Sequence, residues 1–292
     1  MTRARTWPPR VHDDAAGSDD AAPPARPERA RRAPSLAALR KPAIVLAIAA
    51  TWELWVRVAG VDPLLFPPLS DVLAAMARNF GFGGEPFLWR LTWLTLRTVL
   101  EAYGISIALA LALTSVGIGN RWGRDLLSTV TGVFQPLPSI ALLPMAILWF
   151  GLNRAALIFV VVMSMVWPLA ATMATGFSTA PELLVRVAHN YELRGVALLG
   201  RVLLPLALPN IISGLRVAWG YGWRTVVAAE LVFGATGASG GLGWFINNRR
   251  LSLETTDALG GILVVVVIGL AAETAFRLLQ RATTQRWGME RA

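Results

Sequence analysis

The sequence has no cysteine, a single lysine (Lys41) and two histidines, His12 and His189. Without cysteine there is no disulfide and no thiolate metal site. Two distant histidines do not make a protein-only zinc site, so no metal-ligating residues are assigned. The lysine follows Arg40 and precedes Pro42. A phosphate-cradling loop needs Gly-Lys followed by Ser or Thr, so this chain holds no such ATP site. Charge is scarce too: 15% of residues are charged, where an ordinary soluble domain carries about 25%.

What is abundant is apolar: 55% of the 292 residues are hydrophobic, and the mean hydropathy is +0.53. A spanning helix needs about 20 mostly apolar residues. Six stretches qualify, at about 43–60, 91–117, 126–150, 155–175, 211–233 and 258–276. The reading is an all-α polytopic membrane protein in contact with lipid, so the net charge of +9 is assigned to the membrane surface and not to nucleic acid. Residues 1–41 are rich in Arg, Ala, Pro and Asp and lack apolar periodicity, which reads as a disordered basic tail ahead of a membrane domain at 42–292.

Polar residues punctuate the spans. Glu53 and Arg57, and likewise Arg97 and Glu101, stand four apart, the spacing of an intrahelical ion pair. Ser70 reads as the cap of a short amphipathic helix outside the bilayer. Pro136, Pro138 and Pro144 break the third span; backbone freed there lines a transport path or marks packing kinks. The fifth span carries Arg224 and Glu230. Two readings of them stand: a structural ion pair with each other or with Arg97 or Glu101, or a positive step at Arg224 for an anionic solute. A Gly-rich outer loop follows, at about 234–250. Its Gly237-Ala238-Ser239-Gly240-Gly241 matches a hydrolase nucleophile pattern, but a membrane-helix context and the absence of a nearby histidine make a flexible loop the default.

Between spans four and five lies Pro181–Arg216. It carries Arg186, Glu192, Arg194 and Arg201, yet keeps Leu183, Leu184, Val187 and Tyr191 at helical spacing. Pro205 and Pro209 then bend or start the next helix. With the N-terminus placed in the cytoplasm, the inner segments hold 18 basic residues and the outer ones five. Both termini and this amphipathic stretch are therefore expected inside.

Four stretches together resemble the membrane-spanning permease subunits of ABC importers, most closely the nitrate/sulfonate/taurine-type group. They are Thr51-Trp52-Glu53-Leu54 with Val61–Pro68; Gln135–Pro144 running on to Leu148-Trp149-Phe150-Gly151; Val187–Arg216; and Val227-Ala228-Ala229-Glu230 with Gly240-Gly241-Leu242-Gly243. The group's usual Glu-Ala-Ala falls on Arg186-Val187-Ala188, and a usual glycine falls on Glu192.

The resemblance implies a type I ABC importer permease fold in the bacterial inner membrane. It implies two permease copies, and a separate pair of ATP-binding subunits that hold ATP and Mg, this chain binding no cofactor. A periplasmic or lipid-anchored binding protein would deliver the solute. A coupling helix at about 183–195 would seat on each ATPase through Arg186, Val187, Ala188, His189, Tyr191, Glu192, Arg194 and Gly195. The reversed charge at Arg186 implies an acidic counterpart there. The pathway would involve Arg97, Glu101, Pro136, Pro138, Arg224 and Glu230, and the solute would be a small anion such as a sulfonate, taurine or nitrate. The chain itself would not be an enzyme. The alternative is a secondary transporter or channel that acts alone.

Overall fold

The computed structural model describes residues 36–81, 87–119, 121–234 and 240–286. The chain divides into two compact units, 1–48 and 49–292. In the first, the described residues form the N-terminal half of helix α1 (Leu36–Ala59). That helix begins inside the stretch read as tail, because Leu-Ala-Ala-Leu-Arg are strong helix formers.

In the second unit the chain runs through α2 (Leu69–Asn79), α3 (Phe87–Gly119), α4 (Arg121–Phe134), a 3-10 turn (Ser139–Leu142) and α5 (Leu143–Phe150). It continues through α6 (Arg154–Ser178), α7 (Glu182–Asn190), α8 (Gly195–Leu198), a π turn (Leu199–Leu203), α9 (Leu204–Gly234), α10 (Leu242–Leu251) and α11 (Thr255–Arg286). Among the described residues, five helices are long and apolar enough to span a membrane; the count becomes six when α4 and α5, bent by 85°, are taken as one broken span.

The break falls at Gln135–Pro138, where Pro136 and Pro138 withhold two backbone donors. Pro144 does not break the span as expected. It sits in the first turn of α5, where a missing N–H costs nothing. Pro205 likewise lies in the first turn of α9, so that span starts well before residue 211, and Pro209 is carried inside the helix. The expected polar link before the third span is already helical from Arg121.

The core is built around α6, which packs between α3 and α9. Its Val161, Met165, Leu169 and Met173 bury against Leu91, Val99, Ala207 and Trp223. Gly222 of α9 allows close approach: a Cβ there would lie 1.6 Å from the Met165 methyl, so that side chain would have to move aside. Hydroxyls inside the helices are satisfied locally. Thr92, Ser106 and Thr114 each donate to the carbonyl four residues back.

Ser70 does not cap α2; Pro68 holds that position and Ser70 is the second residue of the helix. Instead Glu53 of α1 serves the helix start. Its carboxylate accepts the Ser70 N–H at 3.1 Å and the Ser70 hydroxyl at 3.0 Å, and pairs with Arg57 at 2.6 Å. The Gly-rich stretch after α9 also differs from expectation. Residues 242–251 form α10, which buries Leu242, Phe245 and Ile246 against α9 and α11.

Candidate translocation face and coupling loop

The amphipathic stretch forms a shorter helix than the 183–195 expected. Its first part, α7, ends at Asn190. The Leu193 N–H donates to Ala188 O at 3.0 Å and the Glu192 N–H to His189 O at 2.9 Å. This double closure needs a left-handed residue, and Glu192 supplies it with φ 58°. Gly195, at φ 54°, turns the chain again into α8. Ala188 is buried against the body of the protein. Leu183 (71% exposed), Leu184, Val187 and Tyr191 (77%) face out, beside exposed Arg186, His189 and Arg194. The stripe thus leaves a row of large apolar side chains uncovered.

Arg224 and Glu230 do not pair with each other. Six positions apart on α9, they point about 120° apart around the helix. Glu230 is 2% exposed. Its carboxylate accepts the Thr95 hydroxyl at 2.9 and 3.0 Å and the Gly243 N–H at 3.0 Å. It does not pair with Arg97 or Glu101. Those two pair with each other at 3.0 Å, and Glu101 also receives Arg154 from the start of α6 at 2.8 Å. Arg154, counted in the sequence only as an outer basic residue, thus closes a three-membered charge cluster. Beside it lies a cavity of about 320 Å³ that also meets Thr98, Asn153, Glu230 and Gly241. Of the hydrolase-like pattern, residues 237–239 lie outside the described residues.

Arg224 stands differently. Arg57, Arg97 and Arg154 each have a carboxylate partner, and so does Arg216, which pairs with Glu273 of α11. Among the described residues Arg224 donates only to the Gly220 carbonyl, at 2.8 Å, and lies 5.6 Å from the Tyr221 ring centroid. It is exposed, well inside the span Gly200–Phe233. Tyr221, Arg224 and Thr225 form one stripe of α9 by their spacing. Next to that stripe is a cavity of about 210 Å³ whose wall includes Gln135, Pro136, Pro138 and Ser139 at the α4–α5 break. Tyr221 and Thr225, which flank Arg224 on that stripe, line the cavity together with the broken backbone. Tyr221, Gln135 and Thr225 carry no signal of this role in the sequence, being ordinary residues until α4, α6 and α9 are assembled.

The family model for "Binding-protein-dependent transport system inner membrane component" matches residues 104–288. The chain belongs to that family. This permease is 30% identical over 232 residues to the taurine transport system permease protein TauC of Escherichia coli, with 77% of this chain and 81% of the relative covered. It is 31% identical over 234 residues to the putative aliphatic sulfonates transport permease protein SsuC of the same organism, covering 80% and 86%. The bicarbonate transport system permease protein CmpB of Synechococcus elongatus is 33% identical over 206 residues, covering 67% and 73%. Among solved structures, the inward-facing MetNI methionine ABC transporter shares the fold, with a TM-score of 0.58, 21% identity, and 69% of this chain and 99% of that chain covered. The permease is accordingly an all-α, multi-pass inner-membrane protein with a type I ABC importer permease fold.

Proposed function

We propose that this permease carries a small oxyanion across the inner membrane, driven by ATP hydrolysis on separate subunits that grip α7. The observation that carries the solute class is Arg224. A charge in a span costs several kcal/mol unless it meets a partner, water or a ligand. Arg224 has no carboxylate partner among the described residues, and its neighbour Thr225 lines a cavity walled by broken backbone that lipid cannot satisfy. A second copy of the chain covers this face and leaves a polar path between the two, where Arg224 offers a positive step to an anion. The relatives' named solutes, taurine, aliphatic sulfonates and bicarbonate, all present an oxyanion group.

Coupling runs through the apolar stripe of α7. Leu183, Val187 and Tyr191 seat in a groove on the ATP-binding subunit, and Arg186 meets an acidic rim. Closure of the ATPases on ATP and Mg draws the two α7 helices together. Pinned at buried Ala188 and joined to α6 and α9, α7 passes that rigid-body movement to the spans. A binding protein delivers the solute on the opposite side, and both termini lie with α7 in the cytoplasm.

Purification of the full chain from its native membrane tests this. An ATP-binding subunit is expected to co-purify, and to be lost with Leu183→Asp combined with Tyr191→Asp while the variant stays folded. Solute uptake by the chain without any ATPase subunit would overturn the proposal and leave a stand-alone transporter.

A further inference from the structure

Helix α11 is longer than the hydrocarbon layer is thick. Asp257 lies in its first turn and faces Arg249 of α10, 3.8 Å away. Arg277 stands 20 positions after Asp257. That is a rise of about 30 Å, the thickness of the hydrocarbon. With Asp257 at one edge of the bilayer, Arg277 reaches the other edge. Arg281 stands about 6 Å further on, at headgroup depth.

One face of α11 is uncovered along this length. At about 100° per residue, Val266, Val267, Leu270, Thr274, Arg277 and Arg281 fall within about 100° of one another. Val266 is 56% exposed, Val267 54% and Leu270 60%. Thr274 and Arg281 are exposed as well, and Arg277 is half-buried.

The charge on this face is unbalanced. Glu273 stands four residues before Arg277, the spacing of an ion pair. Arg216 of α9 takes both of its oxygens instead, Nε donating to Oε2 at 3.0 Å and Nη2 pairing with Oε1. No Asp or Glu follows Glu273 on α11. Among the described residues neither Arg277 nor Arg281 pairs with a carboxylate. Arg277 donates to the Thr274 hydroxyl at 3.2 Å, and that hydroxyl donates to the Leu270 carbonyl at 2.8 Å. Thr274 thus holds the guanidinium over the apolar stripe.

An occupant must match both halves of this face. A soluble acidic partner meets the arginines but does not reach Leu270, about 10 Å deeper in the hydrocarbon. A phospholipid meets both. Two guanidiniums one turn apart suit the oxygens of a phosphodiester. With no carboxylate beside them, they favour a headgroup that carries no ammonium of its own.

We infer that this face of α11 binds an anionic phospholipid, its phosphate held between Arg277 and Arg281 and an acyl chain laid over Leu270, Val267 and Val266. The inner leaflet follows from the reading that puts both termini in the cytoplasm. The site itself depends neither on that reading nor on the solute.

Native mass spectrometry on the full chain in mild detergent tests it, with phosphatidylglycerol, phosphatidylcholine of the same acyl chains and glycerol 3-phosphate as probes. Phosphatidylglycerol is expected to be held at least about tenfold more tightly than phosphatidylcholine. Glycerol 3-phosphate, which has no acyl chain, is expected not to be retained. Arg277→Gln combined with Arg281→Gln is expected to weaken phosphatidylglycerol at least about tenfold and to leave phosphatidylcholine unchanged. Arg121→Gln combined with Arg124→Gln removes the same charge at the start of α4 and is expected to change neither lipid. Equal retention of the two lipids, retention of glycerol 3-phosphate, no loss in the α11 variant, or an equal loss in both variants overturns the inference. So does loss of the ATP-binding subunit from the α11 variant with its lipid intact, which assigns the two arginines to that subunit. ATP-driven uptake is a separate readout, and its failure leaves the lipid result standing.

Discussion

Thr95 of α3 and Glu230 of α9, 135 residues apart in sequence, meet so that one hydroxyl lies 2.9–3.0 Å from both carboxylate oxygens. The same hydroxyl oxygen accepts the Leu242 N–H at 2.8 Å, and the carboxylate accepts the Gly243 N–H at 3.0 Å. Glu230 is thus a buried acceptor that ties the start of α10 to two spans. It satisfies backbone donors that α10 leaves open at its N-terminus.

Glu230→Ala should therefore loosen α10 before anything else. It leaves the Gly243 N–H without its acceptor, at about 1–3 kcal/mol, while the Thr95 hydroxyl falls back on the Leu91 carbonyl at 3.3 Å. The expected result is a lower thermal unfolding midpoint and faster hydrogen exchange across residues 242–251. Glu230→Gln keeps the shape and one acceptor, and is expected to fall between wild type and Glu230→Ala in the same assays.

Gly241 gives an independent probe of the same junction. A Cβ there would lie 1.9 Å from Thr95 Oγ1 and 2.5 Å from Glu230 Oε1, so the junction must open to admit it. Gly241→Ala should cost about 1–3 kcal/mol, the scale of overpacking, and should speed exchange at 242–251 without touching α7. Combined with Glu230→Ala, the effects should be less than additive, because both break one contact set.

The coupling loop yields a prediction of opposite sign. Glu192 holds φ 58°, a left-handed conformation that costs a side-chain-bearing residue about 1–2 kcal/mol. Glu192→Gly should relieve that strain and raise the hydrogen-exchange protection of α7. It leaves the stripe of Leu183, Val187 and Tyr191 intact, so capture of the ATP-binding subunit is expected to hold or improve. Weaker protection in α7 would show that the Glu192 side chain contributes more than its backbone strain removes.

Much of this architecture was legible in the sequence because it is local. Apolar length fixes a span, and a four-residue spacing fixes the Glu53–Arg57 and Arg97–Glu101 pairs. Pro136 and Pro138 mark the break between α4 and α5 for the same reason. The failures were non-local or conformational. Nothing in the spacing links Thr95 to Glu230, so a buried acceptor read as half of an ion pair. The helix α10 was hidden by glycines that read as loop, although Gly241 and Gly243 are there to let backbone approach α3 and α9 closely. The end of α7 was misplaced because glutamate is a good helix former and only the closure of the chain forces it into the left-handed region. The isolation of Arg224 became visible only when Arg57, Arg97, Arg154 and Arg216 had been traced to their carboxylate partners.

That isolation carries the central claim, and uptake by the reconstituted transporter tests it most directly. The measurement is ATP-dependent uptake of a labelled alkyl sulfonate into proteoliposomes containing the permease and its ATPase subunit, with ATP hydrolysis followed in parallel. Arg224→Ala is expected to cut uptake at least about tenfold, the loss of roughly one charge-assisted contact, while hydrolysis continues and Arg224→Lys recovers part of the flux. Uptake by Arg224→Ala at the wild-type rate would contradict the account.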